Sequence, residues 1–141
     1  MTVRAAAAEA HHGRQLEIAV RLGTSIVQTY RNLRASSFGA QGPYPGSWME
    51  LETLLTAMVA VTARTDTTFS GGLKDMGEQL GVAMDAASAA RFDPASQETH
   101  EALAHLLALN DYLKFWLSDR AGARANRYDR GALLQAARER L

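Results

Sequence analysis

Residues 94–118 read PASQETHEALAHLLALNDYLKFWLS, and the placing of their apolar side chains decides the fold. At about 100° per residue, Leu103, Leu106, Leu107, Leu113 and Leu117 form one stripe, and Ala102, Leu109, Tyr112 and Trp116 form a second beside it. A helix on the surface of a bundle needs an apolar stripe only about 100° wide. This segment therefore predicts a helix that is central in its bundle or meets a second partner.

Working outward, Asp93-Pro94 predicts an N-cap followed by proline at the first helical position. Upstream, Leu73, Met76, Leu80, Met84 and Ala87 hold helical spacing to near Phe92, after a polar break over Thr65–Gly72. Before that break, Trp48, Leu51, Leu54, Leu55, Met58 and Val61 predict a helix to about Thr65. Ser47-Trp48-Met49-Glu50 has the spacing of a capping box at its start. The cluster SSFGAQGPYPG at 36–46 separates it from a first helix over about Val3–Ala35. There Leu16, Ala19, Gly23, Ile26, Tyr30 and Leu33 follow 3-4 spacing and predict a packing seam. Downstream, Asp129 predicts the cap of a short fifth helix with Leu133, Leu134, Ala137 and Leu141 on its inner face.

No segment has strand periodicity. The expected fold is all-α, an up-down four-helix bundle with a long first helix and a short C-terminal fifth helix, in one domain over 1–141. Residues 1–13 are expected to fray, because Gly13 interrupts an alanine-rich start. Residues 120–141 read as a basic tail or short helix.

Composition bounds the function classes. The chain has 141 residues, 47% hydrophobic, with mean hydropathy −0.19 and no long apolar run, so a membrane-spanning helix is not expected. It contains no cysteine, which excludes disulfides and thiolate chemistry. Met1–Gly13 lacks the pattern of a transit peptide or secretory leader, and the expected location is the cytoplasm. Net charge is zero but unevenly placed. Residues 1–34 carry five arginines against Glu9 and Glu17, residues 120–141 carry six against Asp129 and Glu139, and the middle is acidic. Such a dipolar chain suits head-to-tail association, or contact of its ends with a polyanion.

No stretch carries a motif specific enough to name a reaction. Glu9-x-x-His12 has the spacing of a carboxylate–histidine metal pair, but a dinuclear site needs a second such motif, and around His100 and His105 it is missing. Histidines at His12 and His105 fall on apolar faces, where hydrogen-bonded structural histidines are usual. Thr67–Gly72 precedes a helix yet lacks phosphate-loop spacing. Met49, Met58, Met76 and Met84 read as core fillers. The expectation is no enzyme, no metal and no cofactor.

Three features concern association. Gly77 and Gly81 leave a strip of helix three without side chains. Asn110 lies on the leucine stripe between Leu106 and Leu113, where a polar residue sets register or partner number. Leu109, Tyr112, Phe115 and Trp116, with Asn110, form the expected contact surface. The chain thus reads as a non-enzymatic interaction or assembly subunit that pairs with itself, as a dimer or higher, and with another protein. The alternative is a helical subunit of a nucleoprotein complex, contacting phosphates through Arg120, Arg124 and Arg127.

Overall fold

Hydrogen bonds between the first two helices set the direction of the chain. Gln15 Nε2 donates to the Val61 carbonyl at 2.9 Å and to Thr65 Oγ1 at 2.8 Å, while Thr29 Oγ1, farther along the first helix, donates to the Ser47 carbonyl at 3.3 Å. The early part of one helix thus meets the end of the next, so the two are antiparallel. The computed structural model describes residues 3–35, 46–118 and 129–141. These contain α1 (Val3–Arg34), α2 (Gly46–Thr62), α3 (Thr67–Ala89), α4 (Gln97–Ser118) and α5 (Arg130–Arg140), with no strand among the described residues. α1 and α3 each lie between α2 and α4, closing a four-helix ring, and α5 packs on α4. That is the expected bundle, fifth helix included.

α4 is the central helix. Ala102, Leu106, Leu109, Tyr112, Leu113 and Trp116 are all buried, because three neighbours (α1, α3 and α5) share its circumference. Phe69 of α3 stacks on Tyr112 at 5.1 Å and on Trp116 at 5.3 Å between ring centroids. Leu107 is half-buried and Leu117 exposed, so the first stripe reaches solvent at its C-terminal end.

The seam of α1 differs from the expected one by a step. The buried positions are Gln15, Ala19, Leu22, Ile26, Thr29 and Leu33, with Ser25. Leu16 is exposed, and Gly23 and Tyr30 are half-buried. The reason is chemical: Gln15 and Thr29 hold core positions because their polar atoms find partners there, which a count of apolar residues misses.

Several boundaries also move. The Thr65–Gly72 break shrinks to residues 63–66, and α3 begins at Thr67 with Gly71 and Gly72 inside it. Tertiary contacts outweigh glycine's propensity here: Phe69 is fully buried, and Ser70 Oγ donates to the Val59 carbonyl at 2.8 Å. Ser47 lies within α2, and its hydroxyl accepts from Asn32 Nδ2 at 3.1 Å, tying α2 to α1. Asp93-Pro94 forms the turn before α4, and Ser96 Oγ caps the helix by accepting from the Thr99 amide at 3.1 Å. α3 ends in a Schellman turn, with Phe92 N bonded to the Ala87 carbonyl and Arg91 N to the Ser88 carbonyl. Met58, Met76 and Met84 are core residues; Met49 is exposed.

Candidate interaction face on α1 and α4

α5 accounts for part of the apolar excess on α4. Asp129 caps it, accepting from the amides of Gly131 and Ala132, and Ala137 is buried with Leu133 and Leu134 partly so. Leu141, expected on the inner face, is 43% exposed. Ion pairs hold the helix in place. Arg138 Nε reaches both Glu101 carboxylate oxygens at 3.1 Å, Arg140 meets Asp111 at 2.9 Å, and Arg130 meets Asp75 at 3.4 Å. The Arg138 hydrogen bond is the main cause holding the Glu101 carboxyl below its usual range. His105, 3.5 Å from Glu101, is pushed down chiefly by burial. The arginines of α5 are thus engaged with the acidic middle of the chain.

This arrangement corrects the expected contact surface. Leu109, Tyr112 and Trp116 are almost wholly inaccessible within the single chain, and Phe115 is half-buried. Leu109, Tyr112 and Trp116 are core residues, because α3 and α5 pack against α4. Burial also pushes the Tyr112 phenol up. Asn110 is different: it is half-buried and lines a groove of about 440 Å³ between α1 and α4. Arg120, Arg124 and Arg127 lie outside the described residues.

The surplus apolar surface is on α1. Leu16 is 37% exposed, Val20 63% and Val27 37%, and Leu117 of α4 adds 41%. Gly23 stands between Val20 and Val27, and its missing side chain leaves room above Leu113, whose Cδ2 would lie 3.7 Å from a Cβ built there. The same groove holds Val20, Gly23, Val27, Arg31, Leu113 and Leu117, so these apolar side chains and Asn110 share one concavity. Sequence reasoning placed Leu16 and Gly23 on the inner seam and so missed this stripe. The available signal was the 4-3-4 spacing of Leu16, Val20, Gly23 and Val27, one step out of phase with the core.

Among the described residues, no three His, Cys, Asp or Glu side chains gather as a metal-binding group. Glu9 is exposed, and His11 Nε2 lies 3.2 Å from Gln15 Nε2. Gly77 serves packing inside the bundle, since a Cβ there would collide with Leu55, whereas Gly81 faces open space. No described helix is long and apolar enough to cross a membrane. Comparison with models of protein families, with curated proteins and with solved structures returned no match to this chain.

Proposed function

We propose that this chain is a non-enzymatic, cytoplasmic assembly subunit that pairs with a second copy of itself through the α1–α4 face. The observation that carries the reading is the exposed stripe Leu16, Val20 and Val27, continued by Leu117 around a groove with Asn110 in its wall. Isolated exposed apolar residues need no explanation, but Val20, Val27 and Leu117 gathered in one groove, with Leu16 continuing the stripe one turn before it, support an interaction surface.

The stripe suits a two-fold contact. Glu17 and Arg31 stand seven residues on either side of Thr24 and flank the stripe. An antiparallel pairing of α1 with α1, its axis beside Gly23 and Thr24, sets Val20 against the partner's Val27 and Glu17 against the partner's Arg31. Gly23 allows the two backbones to approach closely. Asn110, at the groove edge, penalises shifted registers that would bury it without a partner.

Sedimentation velocity tests the reading. Val20→Glu places a charge in the middle of the stripe at a solvent-exposed site, so it should weaken association about tenfold or more, or about 1.4 kcal/mol, while the helical signal stays unchanged. Glu17→Arg should weaken association, and Glu17→Arg with Arg31→Glu should restore it. A chain that stays monomeric at high micromolar concentration, or a Val20→Glu variant that sediments as the wild type does, refutes the reading.

A further inference from the structure

A second groove, on the α2–α3 side of the bundle, has a volume of about 420 Å³ and a floor of Trp48, Leu55 and Val59. A Cβ built on Gly81 in its wall meets nothing within 4 Å, so the groove is open there to a close-approaching backbone. Its charges are divided by end. Because α2 and α3 are antiparallel, Glu52 and Glu78 stand toward the Gly81 end and Lys74 toward the other. The same molecule also presents an unburied helical segment. Residues Val3–Ala10 of α1 are all exposed, and the first buried residue of the helix is Gln15. Helices in proteins draw most of their stability from packing one face, and within the single chain this stretch buries none.

We propose that Val3–Ala10 of one copy lies in the α2–α3 groove of another, running antiparallel to α3. Arg4, Ala5, Ala8 and Glu9 share one helical face. In that direction Arg4 meets Glu52 and Glu78, Glu9 meets Lys74, and the two alanines cover Leu55 and Gly81. The parallel direction opposes like charges at both ends. Alanine's single methyl brings helix axes toward the close limit of the usual range of about 8–10 Å, which a groove missing a side chain at Gly81 admits. Segment and groove are different surfaces, so the contact is heterologous and joins two-fold dimers into larger species. It uses neither Val20 nor Leu117 and stands independently of the α1–α4 face.

The absence of cysteine allows a direct test with the full chain. Ala5→Cys and Gly81→Cys proteins, prepared separately and mixed under mild oxidation, should form a covalent dimer several-fold faster than Ala5→Cys with Gln135→Cys, an exposed position on α5. Gly81→Leu fills the notch without touching the fold, so its melting temperature should be no lower than wild type. That variant should lose species larger than a dimer. In the Val20→Glu background the 5–81 cross-link should persist. If Val20→Glu sediments as wild type while the cross-link forms, the α1–α4 contact fails and this one stands. A cross-link no faster than the control, or a Gly81→Leu chain that assembles as wild type does, overturns this inference whatever Val20→Glu does.

Discussion

Gly72 offers a sharp test of the packing beneath α3. A Cβ built there collides with the Tyr112 hydroxyl and lies 2.9 Å from Arg130 Nη1 and 3.0 Å from Tyr112 Cζ. Gly72→Ala therefore combines two opposed effects. Helix propensity favours alanine by about 1 kcal/mol, while forcing a methyl into a filled site costs about 1–3 kcal/mol. The arginine end can swing aside, but Tyr112 is stacked on Phe69 and cannot. Packing should win, leaving a net loss of about 1 kcal/mol. Tyr112→Phe alone removes a buried hydroxyl that finds no hydrogen-bond partner among the described residues, so it should be neutral or stabilising by up to about 1 kcal/mol. Combined, the two changes should be less harmful than their sum, because the colliding oxygen is gone. A favourable coupling of about 1 kcal/mol is expected. Urea unfolding followed by circular dichroism gives all four corners of the cycle, provided the m-value stays constant. A stabilising Gly72→Ala, or strict additivity, would refute the argument.

Three further predictions rest on other sites. Gly77→Ala must displace the end of the Leu55 side chain, so it should be less favourable by about 1–2 kcal/mol than Gly81→Ala, which faces open space four residues on and should stabilise the chain by up to about 1 kcal/mol; equal effects on the unfolding midpoint would contradict the assigned helix faces. Arg91 and Phe92 both have positive φ, 59° and 51°, so Arg91→Gly should relieve left-handed strain and raise stability by roughly 0.5–1 kcal/mol, visible as a higher melting temperature. Stability should also fall with acidity in two stages. The folded pKa of His105 is held below its ordinary 6.5, so its contribution is present above pH 6.5 and is lost as pH falls through the lowered folded value. Glu101 behaves in the same sense below its ordinary 4.5. In a denaturation series from pH 7.5 to 3.5, His105→Gln should flatten the upper stage only; a variant profile that parallels wild type would rule out His105 as its source.

The sequence by itself determined the helical class, the ring of four helices and the capped fifth one. Those follow from local rules, because a 3.6-residue apolar period, the 36–46 breaker cluster and Asp129 all act through neighbouring residues. Candidate sites were less legible. Leu109, Tyr112 and Trp116 look like an outward face until α3 and α5 are docked on α4, and that docking depends on contacts such as Phe69–Tyr112 and Arg138–Glu101, far apart in the chain. Gly72 reads as a loop residue until the Tyr112 hydroxyl is found against it. On α1 the error was one step of phase, and its cause was polarity. Gln15 and Thr29 are inside because Val61, Thr65 and Ser47 supply their hydrogen bonds. Only the tertiary structure decides which polar side chains find such partners, and with them which apolar stripe, Leu16, Val20 and Val27, is left facing out.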